Sequence, residues 1–435
     1  MMKNDISTKA GVSFIIPFIM ITSCFVLWGF TNDITGIMVK AFSNIFRMNV
    51  TDGAMVQVAF YLGYFAMAFP AAVFIQKYSF KAGVLVGLTI YGIGAFLFFP
   101  AKVSGLYYSF LAAYFVMTCG LSFLETSCNT YIYCMGNEDS AIIRLNFAQA
   151  FNPIGALAGM YIAMHYVQWR LSPLDSAARA ILPEHQFEFI KNYDLGILIR
   201  PYMAIGLLII LLALVIWIVK MPKNGDTHNK KNLWFTLKEI FAIGNYREGV
   251  LALFFYMGAQ VTCWTFIIQY GIRVFMAEGM QERAAEMLAQ KYNIIAMILF
   301  TCSRFVCTWF MKYVRPAILL TLLAAIGALA IVGVILFTDR NGIYCLVIVS
   351  GCLSLMFPTI FGLALHGLGD NIKFGGAGLI MAMLGGSVFP LIQASVIDMK
   401  EDILGVPCVN ISFIIPLVCF IVIAAYGYRC LVRIR

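Results

Sequence analysis

Apolar windows long enough to cross a bilayer recur along the whole chain with little between them. A membrane-spanning helix needs about 20 predominantly apolar residues, and inside lipid every backbone polar group must be bonded within the protein. Such windows fall at 14–39, 54–75, 82–99, 106–133, 141–167, 201–219, 250–275, 292–311, 317–337, 344–365, 375–397 and 411–431, about twelve spans in all. No room remains for a large soluble domain. A composition of 62% hydrophobic against 12% charged residues and a mean hydropathy of +0.87 lie beyond what a soluble core needs. The expected fold class is an all-α membrane protein whose first partner is the lipid bilayer.

The first window is too long for the apolar core of a signal peptide and has no small-residue cleavage site, so it is expected as a retained span. The 12 cysteines contain no C-x-x-C pair. Cys24, Cys119, Cys263 and Cys352 lie inside apolar runs and read as small core residues, not as metal ligands or a disulfide framework. A net charge of +9 would suggest nucleic acid in a soluble protein. Here the excess follows the membrane: Lys77, Lys81, Lys220, Lys238, Lys312 and Arg315 join the terminal cations on one side, while the other side is near balance. Cytoplasmic loops carry such excesses, so both termini are expected in the cytoplasm, and no nucleic-acid partner is implied.

The segment 222–246 is polar and basic, and reads as a cytoplasmic linker between two six-span bundles, 1–221 and 247–435. The other long polar insert, 168–200, is expected as a solvated external loop. The halves look like repeats. Laying "QKYSFKAGVLVGL" from Gln76 over "MKYVRPAILLTLL" from Met311 matches Lys77 with Lys312, Tyr78 with Tyr313 and Ala82 with Ala317, and further on Gly92 meets Gly327. A similar offset lays "LWGF" over "CWTF". Parallel repeats of six helices are the arrangement of major facilitator transporters, with the substrate site near the bilayer midplane.

Three formally charged residues fall well inside the expected spans: Asp33, Glu125 and Arg304. A carboxylate at the bilayer centre costs at least about 2.5–3.5 kcal/mol on insertion scales. It must face a cavity, find a partner or spend time protonated, and a carboxyl whose access to water alternates can load and release a proton. Glu125, in "LETSCNTYI", is the leading candidate for proton coupling, with Asn129 one turn further on the same helix face. A carboxylate that only ties helices together is the alternative. Asp33, in "LWGFTNDITGIM", is the second acid. Arg304 fits a fixed structural pairing or a gate contact at least as well as substrate binding.

The fifth span carries "RLNFAQAFNPIG", in which Asn146, Gln149 and Asn152 recur every third residue. Amides both donate and accept, which suits the hydroxyls of a monosaccharide; they also serve as links between membrane helices. Gln260 and Trp264, a turn apart in "GAQVTCWTF", can bond and stack on a sugar ring, or pack on a neighbour. Tyr61 and Tyr64 are further candidates without a distinguishing signal.

Across nearly the whole chain, "LWGFTNDI", "FYLGYF", "KAGVLVGL", "LETSCNTYI", "RLNFAQAFN", "GAQVTCW", "SRFVCTW" and "FPTIFGLAL" resemble the L-fucose/proton symporter family of the major facilitator superfamily. The resemblance implies sugar import coupled to proton entry by alternating access, in a bacterial inner (plasma) membrane. A monomer needing no cofactor is expected. It lands the family's helix-4 acid on Glu125 and its helix-5 amides on Gln149 and Asn152. In the register of "LWGF" the helix-1 acid would fall on Gly36, and the nearest acid is Asp33. Competing functions are an uncoupled facilitator or sugar sensor, and a carrier of glucose, galactose or an amino sugar. An enzyme is poorly supported: the 4 histidines form no metal-ligand pattern with acids, and no nucleophile motif or Walker-type loop occurs.

Overall fold

With lipid as the solvent, the backbone can bond itself most simply as helices, and the computed structural model shows the chain doing so. It describes residues 14–48, 55–174, 176–222, 233–397, 399 and 407–433. Among these the regular structure is wholly helical: α1 (Ile15–Ile45), α2 (Met55–Lys77), α3 (Phe80–Ser104), α4 (Tyr107–Cys134), α5 (Ala141–Gln149), α6 (Asn152–Ile162), α7 (Glu184–Ile218), α8 (Leu233–Ala242), α9 (Gly244–Ala277), α10 (Glu282–Phe310), α11 (Pro316–Leu336), α12 (Arg340–Leu353), α13 (Met356–Leu365), α14 (Ile372–Met381), α15 (Gly385–Ile397) and α16 (Ile414–Arg433), with short turns between.

Among the described residues, 10 helical stretches are long and apolar enough to cross a membrane. They match ten of the expected spans. Of the other two, the first is α1, whose apolar Ile15–Thr31 opens a helix that runs on to Ile45, and the fifth is broken into α5 and α6. The helix ends follow from sequence. Ser79 accepts a hydrogen bond from Ala82 N at 3.1 Å and so caps α3, which satisfies one of the free N–H groups of the first turn. Gly105 ends α3 in the left-handed region, φ 62°, where glycine carries no Cβ penalty.

One expectation is corrected. The insert 168–200 is not simply a solvated loop, because α7 already begins at Glu184. Charges such as Glu188, Lys191 and Asp194 lower the hydropathy of its first turns without stopping the helix. The preceding segment is tied down by Arg179, whose Nη2 meets Asp194 at 2.6 Å with both side chains buried, and whose Nε donates to Leu174 O at 2.9 Å.

The contacts divide the chain into two units: Met1–Asn137 with Phe151–Lys230, and Glu138–Ala150 with Lys231–Arg435. The sequence places all of the fifth span in the first half, whereas its opening helix α5 clusters with unit 2. There α5 packs on α13 and α10, and Asn146 pairs with Thr359 and Arg304 with Gln149.

Within unit 1, α4 packs on α2 and α3, α1 packs on α6, and α3 packs on α7. Within unit 2, α11 packs on α16, and α9 touches α10, α13, α15 and α16. The two units repeat one detail. Gly92 faces Ile209 where α3 meets α7, and Gly327 faces the Phe420 ring where α11 meets α16. These glycines were matched by the internal offset, but only Gly327 is required by space: a Cβ there would collide with the Phe420 ring, whereas one at Gly92 would make an ordinary contact with Ile209 at 3.5 Å. α1 and α6 come closer still: a Cβ at Gly155 would collide with Val26 O, and one at Gly159 would lie about 2.5 Å from Phe30 O. This G-x-x-x-G spacing allows two membrane helices to touch by their backbones.

Candidate functional site

Glu125 lies on the most enclosed helix of unit 1. From Met117 to Tyr133 every residue of α4 is buried, so its polar side chains must find partners inside the protein. Several bond their own helix: Thr118 donates to Tyr114 O and Ser127 to Phe123 O, each at 2.6 Å. Ser122 reaches across to Tyr64 O at 3.0 Å. Glu125 differs. Its relative exposure is 0%, and neither carboxylate oxygen has a hydrogen-bond partner among the described residues.

The group facing that carboxylate is the Tyr64 hydroxyl of α2. The two interact electrostatically, yet neither completes a hydrogen bond of ordinary length and angle. α2 comes this close because Gly63 presents no side chain where Thr118 and the Phe115 carbonyl press against it. Asn129 is buried one turn beyond Glu125. Asp33 and Gly36 belong to α1, but their side chains lie outside the described residues.

The three amides of the fifth span are separated by the helix break. Asn146, in α5, donates from Nδ2 to Ile142 O at 3.0 Å and to Thr359 Oγ1 of α13 at 3.2 Å. Gln149 is the last residue of α5, its side chain buried and its carbonyl accepting from Arg304 Nη1 at 3.0 Å. Asn152 opens α6 and donates to Phe25 O of α1 at 3.2 Å. In this structure the amides of Asn146 and Asn152 therefore bond protein groups, the linking role weighed against sugar binding.

In unit 2 Arg304 is 4% exposed. It donates from Nε to Ser354 O and from Nη1 to Gln149 O, its guanidinium stands 4.5 Å from the Phe300 ring centroid, and it makes no ion pair among the described residues. Phe300 meets Trp264 edge to face, with centroids 4.9 Å apart at 82°. The buried Trp264 indole N–H has no partner among the described residues. Gln260, a turn earlier on α9, is half-buried. Sequence reasoning singled out Arg304, Trp264 and Gln260 but missed Phe300, Ser354 and Thr359. Only Thr359, a hydroxyl within the apolar "FPTIFGLAL", left a signal.

Unit 1, taken by itself, offers a buried acid with no hydrogen bond from the described residues and the amides of Asn129 and Asn152; unit 2 offers the amides of Asn146 and Gln149, an indole N–H without a partner among the described residues, and a fixed buried cation. No group of three or more His, Cys, Asp or Glu that could hold a metal occurs among the described residues.

The Major Facilitator Superfamily matches residues 19–392. The chain is 44% identical over 424 residues to the L-fucose-proton symporter of Haemophilus influenzae, covering 96% of each. It is 32% identical over 425 residues to the L-fucose-proton symporter of Escherichia coli, covering 95% of this chain and 93% of that one. A glucose/galactose transporter of Brucella abortus is 28% identical over 410 residues, covering 94% and 92%. Among solved structures, the crystal structure of the major facilitator transporter FucP in the outward conformation superposes with a TM-score of 0.85 at 30% identity, covering 96% of this chain and 99% of that one.

Proposed function

Because the chain belongs to the Major Facilitator Superfamily, we propose that it is a secondary active transporter that imports a monosaccharide, L-fucose before other hexoses, in symport with protons. It is a transporter and not an enzyme, as are the curated relatives. The observation that carries the reading is Glu125, a fully buried carboxyl with no hydrogen bond from the described residues. A lone carboxylate in a dry site is costly to keep ionised, so its charge follows its access to water. Protonated from outside, it admits sugar and lets the loaded carrier reorient; opened to the cytoplasm, it returns the proton. Asp33 is the second acid of the route, in place of an acid at Gly36.

Gln149 and Asn152 are the first sugar contacts, with Asn146, Asn129, Gln260 and Trp264 as further members. Asn146 and Asn152 would exchange their present protein partners for sugar hydroxyls during the cycle. L-Fucose is preferred because its two carriers are more similar to this chain than the glucose/galactose carrier is. The protein works as a monomer in the bacterial inner membrane. Its halves, 1–221 and 247–435, are joined by the linker 222–246, and both termini lie in the cytoplasm.

A panel of radiolabelled hexoses in proteoliposomes, with and without a pH gradient, tests substrate and coupling together. Gradient-driven accumulation of L-fucose is expected. Uptake that only equilibrates would make the protein a facilitator, and accumulation of glucose or galactose alone would move the substrate. An impermeant thiol reagent added from outside should not reach Asn224→Cys; labelling from that side alone would invert the topology.

A further inference from the structure

The two carbonyls held by Arg304 share a covalent cause. In an α-helix a carbonyl accepts from the N–H four residues on. Four residues after Gln149 stands Pro153, and four after Ser354 stands Pro358. Neither proline has an N–H. Both carbonyls thus lack the N–H four residues on, at the end of α5 and just past the end of α12, and a carbonyl buried in a membrane protein needs a donor from elsewhere. Arg304 supplies the missing donors, Nη1 to Gln149 O at 3.0 Å and Nε to Ser354 O. Two helix C-termini, each the negative end of its dipole, also stabilise a buried guanidinium that has no carboxylate partner among the described residues.

We propose that Arg304 is a positioning residue for sugar binding, its guanidinium replacing the N–H groups of Pro153 and Pro358 and so fixing the break that aims the Gln149 amide. The proposal rests on the reading of Gln149 as a sugar contact. A planar fork suits the task, since it bonds two carbonyls of separate helices at a fixed angle; a lysine ammonium on a flexible stem has no such fork. The prolines keep both backbones open, and the arginine holds each opening in one geometry.

The first test is a rescue in the full-length protein. Arg304→Met is expected to lower the yield of folded, monodisperse protein at least about tenfold, because two buried acceptors lose their donors. In a Pro153→Ala, Pro358→Ala background the backbone N–H groups return, and the same substitution should cost less than about twofold. An equal loss in both backgrounds overturns the proposal.

The second test separates positioning from support. Arg304→Lys should weaken L-fucose binding about tenfold while exchange at saturating sugar stays within about twofold, and adding Gln149→Ala should then cost little more. Losses that multiply would mean that Arg304 does not act through Gln149. If Gln149→Ala alone leaves binding unchanged, the role of Gln149 in the sugar site falls and the positioning role with it. The rescue result then still decides whether Arg304 serves the two prolines.

Discussion

Glu125 and Arg304 are both charged in form, both buried and both on membrane-spanning helices, but they are housed in opposite ways. The arginine is given everything: two carbonyl acceptors, the ends of two helices and an aromatic face. The carboxyl is given a tyrosine hydroxyl nearby and no completed hydrogen bond among the described residues. A guanidinium cannot give up its proton in a protein, so the fold must solvate it permanently. A carboxyl can become neutral, and a site that leaves it unsolvated uses that freedom. On the proposed reading the arginine is architecture and the carboxyl a moving part.

The strongest attempt to break this contrast is Glu125→Gln. It keeps size and polarity and removes titration, so gradient-driven accumulation should vanish while sugar exchange in proteoliposomes persists. Active accumulation with preserved proton stoichiometry would move coupling to another residue, with Asp33 next.

The same contrast predicts opposite stabilities. Glu125→Gln should melt in detergent at or above the parent temperature, since none of the described residues gives the carboxylate a hydrogen bond. Arg304→Met should lose on the order of 2–6 kcal/mol, taking about 1–3 kcal/mol for each of two unsatisfied acceptors. Equal thermal shifts would erase the distinction.

A smaller effect sharpens it. Gln149→Ala and Asn152→Ala should each weaken sugar binding by about 1–3 kcal/mol. Asn152→Ala should also lower thermal stability by about 1 kcal/mol, because its amide already holds Phe25 O. Binding as tight as the parent's in both variants would leave these amides as helix links. Smallest is Thr359→Val, which removes the partner of Asn146. It should cost about 0.5–1.5 kcal/mol of stability, measured by thermal denaturation, with coupling untouched.

Much of this was legible in the sequence because lipid is an unforgiving solvent. Span positions follow from length and apolarity alone, and the cost of a carboxylate singled out Glu125 before any packing was known. The fifth span was harder. A repeat of every third residue puts Asn146, Gln149 and Asn152 on one stripe only if the helix is continuous, and it stops at Gln149 and restarts at Asn152. "NPIG" carried the warning, since proline after asparagine favours a fresh helix start. The partners of Arg304 were hidden for another reason: they are backbone carbonyls, which leave no residue type to read. Only the shared spacing to Pro153 and Pro358 encodes them. Tyr64 had no signal of its own, because its place opposite Glu125 depends on how closely Gly63 lets α2 approach α4.

The seam between α1 and α6 reaches back to how the chain is made. Ribosomes deliver spans in order, at about 5–20 residues per second, and α1 emerges before α2 to α6. Its main neighbour in unit 1 is α6 and not the α2 that follows it. Gly29 can close on Asn152, Gly155 on Val26 and Gly159 on Phe30 only after α2, α3 and α4 have all been synthesised. For several seconds, then, α1 waits in the membrane beside helices that are not its lasting partner, the backbone around Val26 and Phe30 uncovered until α6 brings its glycines.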